Sequence, residues 1–351
     1  MLLEGVFAAV TTPFYPDEWV YYRKIEANMA RYSRSLLAGL AVLGSTGEAT
    51  MLDDAESREV LRIAAEATAP EKVLVAGVGR ESVKATVELA EAAAKFQYDV
   101  ALVRTPNYFA GQMTYAAVRT YFESVADRSP LPLLLYNIPK FVPYQIPVEM
   151  IAELAHHPNI LGTKDSSGDP ARIRTLVAAT GKAPRRTVAV TPVFEAVTGR
   201  MLHAKAPEQE GFVSLGNLAG DSVAAAAPPH TTLKTRTREI GFQVLCGAGS
   251  VFFESLEAGA CGAVLASADF APQACQEIYL AWKDRDLKLA EEKQRRLAGI
   301  DRRIIGDFGI SGIKYACDFN GYYGGRGRAP LLPLTASEKA EIEGLLVETR
   351  N

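Results

Sequence analysis

The sequence has few of the side chains that metal sites and disulfide frameworks require. Its 351 residues include only four cysteines and four histidines. The cysteines, scattered without the spacing of metal ligands, are Cys246, Cys261, Cys275 and Cys317. Because the adjacent pair His156 and His157 offers too few ligands for a metal ion, we expect no metal site. Scattered thiols are typical of a reducing compartment, which predicts a cytoplasmic location.

A long apolar run and a strong excess of charge of one sign are also missing. No stretch reaches the roughly 18 apolar residues that suggest a membrane span. The formal net charge of −3 gives no basis for binding nucleic acid or an anionic membrane. Residues 1–4 lead directly into a strand-like run, so we expect no signal or transit peptide. The composition therefore favours an ordinary soluble globular protein.

The first strand-like run is not followed by a glycine-rich phosphate loop. The residues at that position are Thr12-Pro13-Phe14, whereas a dinucleotide-binding sheet would favour glycines there. Gly247-Ala-Gly249 resembles half of such a fingerprint, but Phe252 stands at the place of its third glycine. These differences disfavour a doubly wound sheet that binds a dinucleotide.

Buried strand-like runs alternate regularly with helical patterns along the chain. The runs begin near residues 5, 40, 72, 99, 131, 160, 242 and 261. Regular alternation of this kind predicts parallel strands, and eight units predict a TIM barrel with its active site at the carboxyl ends of the strands. Because helical patterns alone follow, we expect a barrel over 1–270 and a C-terminal helical domain over 271–351.

One connection, between the sixth helix and the seventh strand, is much longer than the others. The excess is an insertion over about 183–240, which contains Arg185-Arg186, the strand-like 187–191 and the low-complexity 224–229. Because it joins a helix to the next strand, we expect it at the face of the barrel opposite the chemistry. Two interpretations of Arg185-Arg186 remain, an effector site and a solvated basic pair, and the second is favoured.

The sixth strand-like run, which begins at Ile160, ends in Lys164. Asp169 can cap the following helix, Pro170 suits its first position, and Gly181 can end it. Burial disfavours the charged form of a lysine, and a neutral amine is a nucleophile able to attack a ketone. Alternatively, such a lysine extends its amine to water. These residues alone favour that second interpretation.

Distinctive polar residues follow several of the other strands. Ser45 and Thr46 follow the second, Tyr108 the fourth and Tyr136 ends the fifth. Taken singly, Tyr136 suits a core tyrosine and Ser45-Thr46 a turn. Because strand ends meet across the mouth of a barrel, these side chains together with Lys164 indicate a catalytic site.

Four motifs carry a resemblance to a known family of proteins. The resemblance covers nearly the whole chain outside the insertion. The motifs are Thr11-Thr-Pro-Phe14, Gly44-Ser-Thr-Gly-Glu48, Tyr136-Asn-Ile-Pro139 and Gly162-Thr-Lys-Asp-Ser166. With these motifs the sequence resembles the pyruvate-dependent class I aldolases, the dihydrodipicolinate synthase and N-acetylneuraminate lyase family. The resemblance implies a TIM barrel with a C-terminal helical domain and a lyase that needs no cofactor.

The resemblance also implies the roles of particular residues. Lys164 matches the lysine that forms an imine with pyruvate, and Tyr136 matches the tyrosine that moves protons in the reaction. Ser45 and Tyr108 match the partners of its proton relay. In several members of the family the tyrosine at the Tyr108 position is shared across a dimer interface. We therefore expect a homo-oligomer, either a dimer or a tetramer.

Three further residues are expected to bind the substrate. The backbone N–H groups of Ser45 and Thr46 would hold the pyruvate carboxylate. Ser166 matches a serine that contacts substrate, and Gly247, at the exit of the seventh strand, is expected to line the same site. The resemblance implies that the substrate is a small 2-oxo acid.

The choice of family member depends on Phe141 and on three other stretches. Dihydrodipicolinate synthases usually have an arginine at the position of Phe141. Residues 106–113, 164–169 and the tail at 308–314 with 321–325 look like the 4-hydroxy-2-oxoglutarate aldolase branch. That branch is the favoured prediction. The alternatives are dihydrodipicolinate synthase, a keto-sugar-acid dehydratase or lyase, and a non-catalytic barrel that binds a keto acid.

Arg104 is unusual just before a strand exit. Two roles fit it, binding of a distal carboxylate of the substrate and pairing with an acid on the outer face of the barrel.

Overall fold

Eight parallel strands close into a barrel, which confirms the predicted TIM fold. The computed structural model describes residues 1–193, 195–203 and 233–347. The barrel strands are β1 (Gly5–Ala9), β2 (Gly39–Val42), β3 (Val73–Gly77), β4 (Val100–Arg104), β5 (Leu133–Asn137), β6 (Ile160–Asp165), β9 (Gln243–Cys246) and β10 (Gly262–Leu265). A separate antiparallel hairpin consists of β7 (Arg186–Val190) and β8 (Arg236–Ile240).

Helices surround the barrel and continue after its last strand. Up to β9 they are α1 (Tyr22–Ser33), α2 (Asp54–Ala67), α3 (Val83–Lys95), α4 (Tyr115–Arg128), α5 (Val148–Leu154), α6 (Pro170–Thr180) and α7 (Gly199–His203). The others are α8 (Phe252–Glu257), α9 (Ser267–Phe270), α10 (Pro272–Lys283), α11 (Leu287–Ile300), α12 (Gly309–Phe319) and α13 (Ala336–Leu346). None of the described helices has the length and apolar character needed to cross a membrane.

The caps of two helices form as their sequences predict. At the start of α2, Asp53 accepts the N–H of Glu56 while the Glu56 side chain accepts the N–H of Asp53. At the start of α6, Asp169 accepts the N–H of Ala171, and Pro170 occupies the first turn. Such caps satisfy N–H groups that have no partner inside the helix, and each contributes about 1 kcal/mol.

The barrel strands bury both of their faces. Phe7, Leu102 and Leu134 belong to a hydrophobic cluster that fills the barrel interior. Val103 and Leu133, on the opposite faces of the same strands, belong to a larger cluster beneath the helices. This double burial explains why the strands appear in the sequence as continuous apolar runs.

A bulge shifts the pairing of β5 with β6. Leu133 pairs with Ile160, but Leu134 pairs with Gly162, so Leu161 is an extra residue on β6. A Cβ atom at position 162 would lie 2.1 Å from the carbonyl oxygen of Gln243, and only glycine therefore fits there. After the bulge, Tyr136 pairs with Lys164.

The described part of the insertion lies at the amino-terminal face of the barrel, opposite the strand exits. Arg186 donates to the carbonyls of His157 and Ile160, at 2.9 and 2.7 Å. Arg200, on α7, donates to the carbonyl of Thr68 at 2.9 Å and to that of Lys72. The favoured interpretation of Arg186 as a solvated cation was therefore wrong, because its guanidinium binds the carbonyls where the chain passes from α5 to β6. The segment 224–229 lies outside the described residues.

The C-terminal segment differs from its prediction at one point. The sequence pattern over 287–305 favours one continuous helix, but α11 ends at Ile300 and a π-helix, Asp301–Asp307, follows it. The hydrophobic period of a helix does not report such a change of winding. The π-helix lies beside the mouth of the barrel. A domain boundary at residue 270 stays a prediction.

Candidate active site

The paired strands β5 and β6 bring Tyr136 and Lys164 together at the mouth of the barrel. Lys164 is only 4% exposed, and its amine donates to the Tyr136 hydroxyl at 3.3 Å. The amine also lies 4.3 Å from the centre of the tyrosine ring. A nucleophilic nitrogen and a phenol that can exchange protons are thus within hydrogen-bond reach.

The turn after β2 supplies the third member of this group. The Ser45 hydroxyl lies 3.5 Å from that of Tyr136. The Thr12 hydroxyl, which follows β1, donates to the carbonyl of Gly47 at 2.7 Å and holds the turn. Within the described residues, the N–H groups of Ser45 and Thr46 are not used in any hydrogen bond. Two adjacent free N–H groups form a site suited to a carboxylate.

Glu48, at the end of this turn, is held by the C-terminal segment. Its φ of 52° lies in the left-handed region, and its buried carboxylate pairs with Lys314 at 2.5 Å. The N–H of Arg328 donates to the same carboxylate at 2.8 Å. Burial lowers the pKa of Lys314, and the charge of Glu48 opposes that shift. Sequence analysis missed this pair because nothing local links two positions so far apart.

A second polar group lies on the outer side of the same strand ends. The Asp165 carboxylate accepts from the Asn137 amide and from Arg172, each at 2.8 Å. The Asn137 side chain in turn accepts the N–H of Ile146 at 3.0 Å. These bonds fix β5 and β6 next to Lys164. Asn137 and Asp165 belong to two of the motifs given above, but their roles were not predicted, because a motif does not show which face of its strand a residue occupies.

A cavity of about 770 Å³ opens above these groups. The predicted site residues that line it are Ser45, Thr46, Tyr136, Lys164, Ser166 and Gly247. A Cβ atom at Gly247 would lie 1.9 Å from the Ser166 hydroxyl, so glycine is needed for these two strand exits to approach. The structure thus gathers six of the seven predicted residues around one cavity.

Tyr108 is the predicted residue that does not line this cavity. Its side chain is 80% exposed and packs edge to face against Phe109, with the ring centres 5.1 Å apart. It lines a neighbouring cavity of about 660 Å³, which also reaches Ser45 and Tyr136. A single chain therefore leaves this tyrosine at an open rim.

Of the two roles considered for Arg104, the structure favours pairing with an acid. Its guanidinium lies 2.9 Å from the Glu81 carboxylate. Glu81 also accepts the N–H groups of Asn107 and Tyr108, both at 2.9 Å. The ion pair therefore positions the loop that carries Tyr108.

The wall of the main cavity opposite the strand exits is formed by the π-helix. Asp301, Arg302 and Ile305 line it, together with Lys140 from the loop after β5. Burial raises the pKa of Asp301 to about 6, although hydrogen bonds from Ser267 and from the N–H of Ser250 oppose this shift. Sequence analysis did not identify this wall, since its residues follow the last strand by more than thirty positions.

The part of the chain that the structure describes contains no cluster of three or more histidine, cysteine, aspartate or glutamate side chains arranged to hold a metal ion. The side chains that meet at the mouth of the barrel offer an amine, a phenol and a hydroxyl.

Known proteins match the chain over most of its length. The model of the dihydrodipicolinate synthetase family matches residues 2–184 and 221–349. A protein of Acidiphilium cryptum strain JF-5 named 4-hydroxy-tetrahydrodipicolinate synthase is 27% identical over 349 residues, which is 98% of each chain. The L-threo-3-deoxy-hexylosonate aldolase of Hypocrea jecorina is 29% identical over 345 residues, covering 97% of this chain and 93% of that protein.

A solved structure resembles the whole fold. It is a prophage protein of the dihydrodipicolinic acid synthase family from E. coli K12, in complex with pyruvate. The two chains are 25% identical, superpose with a TM-score of 0.78, and each is covered over 99% of its length.

Proposed function

The chain belongs to the dihydrodipicolinate synthetase family of pyruvate-dependent aldolases and lyases, and from this premise we propose that it cleaves 4-hydroxy-2-oxo acids through an imine on Lys164. The products are pyruvate and an aldehyde, as in the 4-hydroxy-2-oxoglutarate aldolase branch. The observation that carries the proposal is the 3.3 Å contact between the Lys164 amine and the Tyr136 hydroxyl above an open cavity.

The reaction begins with the attack of the Lys164 amine on the C2 carbonyl of the substrate. Tyr136 transfers protons to the carbonyl oxygen, which leaves as water, and a protonated imine remains. The C3–C4 bond then breaks, its electrons move to the imine nitrogen, and Tyr136 accepts the proton of the C4 hydroxyl as the aldehyde leaves. Protonation of the enamine at C3 and addition of water release pyruvate and restore the amine.

The surroundings of this pair suit the other demands of the reaction. The free N–H groups of Ser45 and Thr46 bind the C1 carboxylate. The Ser45 hydroxyl, 3.5 Å from the phenol, continues the proton path. Ser166 and Gly247, at the exits of β6 and β9, line the same cavity as Lys164 and contact the substrate. Tyr108 completes the relay when a second copy of the chain covers its exposed ring in a dimer or tetramer.

Reduction with borohydride tests the imine directly. Incubation with pyruvate followed by borohydride should add a carboxyethyl group to Lys164, which peptide mass spectrometry locates. Lys164→Arg should form no adduct, whereas Lys182→Arg, at an exposed position, should behave as the parent protein. Tyr136→Phe should reduce kcat by about 10² to 10⁴ because it removes the proton-transfer group. The absence of an adduct in the parent protein would reject the proposal.

The second candidate is the condensation of pyruvate with aspartate semialdehyde. It is favoured by the name of the Acidiphilium cryptum relative. Against it stands Phe141, which is half exposed at the position where synthases of the family usually have an arginine. Assays of pyruvate release from a panel of 4-hydroxy-2-oxo acids, keto-sugar acids among them, and of pyruvate consumption with aspartate semialdehyde separate these reactions.

A further inference from the structure

Two cationic side chains other than Lys164 line the main cavity, and they differ in their partners. Lys140 donates to the carbonyls of Ile305 and Gly306, at 3.3 and 3.2 Å. Arg302 makes no ion pair with any described carboxylate. Its neighbour Arg303, in contrast, pairs with Glu341 at 2.5 Å and with Asp307 at 2.9 Å. Arg302 therefore offers an uncommitted guanidinium to the cavity.

The π-helix that carries Arg302 is fixed to the barrel at both ends. At its start, the Asp301 carboxylate accepts the N–H of Ser250, which follows β9, at 2.9 Å. Near its end, Lys140 reaches over from the exit of β5 to the two carbonyls. Insertions of this kind inside helices are frequent at functional sites. Arg302 is thus presented by an element that both sides of the cavity mouth hold in place.

The carboxylates near Arg302 have other partners and do not bind its guanidinium in place of a ligand. Asp307 is engaged by Arg303, and the Asp301 side chain is buried against the turn after β9. Burial also raises the pKa of Asp301 to about 6, which reduces its negative charge in mildly acidic solution. The other arginine near the site, Arg104, is paired with Glu81. Phe141 supplies no charge.

We propose that Arg302 binds a carboxylate at the far end of the aldehyde half of the substrate and so selects 4-hydroxy-2-oxo acids that carry two carboxylates. A guanidinium is suited to this task because its planar fork binds a carboxylate through two parallel hydrogen bonds. The N–H groups of Ser45 and Thr46 take the carboxylate next to the 2-oxo group, and Arg302 takes the other. This inference rests on the proposed function and specifies its substrate class.

The test compares two substrates of equal length in three variants. One substrate ends in a carboxylate and the other in the corresponding amide. Arg302→Gln should raise KM for the dicarboxylate about 10- to 100-fold, the effect of losing hydrogen bonds between charged groups, and change KM for the amide less than about twofold. Arg302→Lys should recover part of the loss. Arg296→Gln, the control at an exposed position of α11 outside the cavity lining, should leave both values unchanged.

The borohydride adduct with pyruvate separates failure of this inference from failure of the proposed function. The adduct on Lys164 should form normally in Arg302→Gln, since pyruvate lacks the second carboxylate. If the adduct forms but Arg302→Gln affects both substrates equally, or neither, Arg302 has no role in selecting the second carboxylate. A parent protein that prefers the amide would also overturn the inference. Absence of the adduct in the parent protein overturns both.

Discussion

The carboxyl group of Asp269 is buried where β1, α1 and α12 meet. It accepts the Tyr32 hydroxyl at 2.5 Å, the N–H of Thr11 at 3.0 Å and the Cys317 thiol at 3.4 Å. Burial raises its pKa from the ordinary value of 3.8 to about 6, because these donors compensate only in part for the loss of water. One side chain thus ties the barrel to two helices and makes their stability depend on pH.

The sign of this dependence follows from the raised pKa. An acid that holds its proton more tightly in the folded state contributes full stability below pH 3.8, and this contribution is lost as the pH rises through about 6. Asp269→Asn cannot ionise. The excess stability of the parent protein over this variant should therefore fall by about 2 kcal/mol between pH 4 and pH 7. Urea unfolding at the two pH values measures it.

Asp17→Asn, at an exposed turn, is the control for this measurement. A stability difference between the parent protein and Asp269→Asn that is constant across this pH range would contradict the assignment.

The hairpin of β7 and β8, together with α7, acts as a cover for the amino-terminal ends of the barrel strands. Arg200 is its main polar contact, since its buried guanidinium satisfies carbonyls that precede β3. Residues at this face of a barrel contribute to stability, and those at the other face to catalysis. The insertion is thus expected to affect folding without affecting chemistry.

Arg200→Ala tests this division of roles. It leaves the buried carbonyls of Thr68 and Lys72 without their charged donor, so the free energy of unfolding should fall by about 3 kcal/mol. The value of kcat/KM should remain that of the parent protein at temperatures where the variant is folded. Arg185→Ala, which removes an exposed contact to Glu239, should change stability by less than about 0.5 kcal/mol. A loss of activity in folded Arg200→Ala would argue against the division.

Local elements were predicted better than the contacts between them. The strands follow from hydrophobic periodicity, and the gathering of polar groups at their exits follows from the parallel closure of the barrel. The caps at Asp53 and Asp169 follow from side chains that accept the unpaired N–H groups of a first helical turn. The partners supplied by the C-terminal helices, Lys314 and Arg302, could not be predicted. Their contacts depend on how helices pack across the mouth of the barrel. The exposure of Tyr108 is a separate matter, because a single chain does not cover its ring.

At the scale of the whole molecule, a buried ion pair and a partly buried one join the C-terminal segment to the barrel. Lys314 pairs with Glu48, and both side chains are almost fully buried. Arg328 pairs with Glu56 on α2 at 2.6 Å. Since Glu48 ends the turn that carries Ser45, the C-terminal segment helps to shape the anion site. We expect the barrel and this segment to unfold as one unit.

A double-mutant cycle measures this coupling. Lys314→Met and Glu48→Gln should each lower the free energy of unfolding by about 3–5 kcal/mol, because each leaves a buried polar group without its partner. The double variant should lose about 1–3 kcal/mol less than the sum of the two.

The two tryptophans provide the probes for joint unfolding. Trp19 lies in the loop between β1 and α1, and Trp282 lies on α10. Trp19→Phe and Trp282→Phe each retain one tryptophan. In each variant, the unfolding midpoint measured by fluorescence should therefore equal the midpoint measured by far-ultraviolet circular dichroism. Separate transitions would show that the two parts unfold independently.

The bulge at Leu161 decides which side chain faces Tyr136. If β6 kept Leu161 but paired with β5 without the bulge, Tyr136 would pair with Thr163, and the lysine would point toward the helices, since a shift of one residue turns every side chain to the other face. A descendant in which the same residues paired without the bulge would retain every motif letter and lose the contact between the lysine and the tyrosine. Pseudoenzymes of this origin would escape any search by motif, and only an inspection of strand register would reveal them.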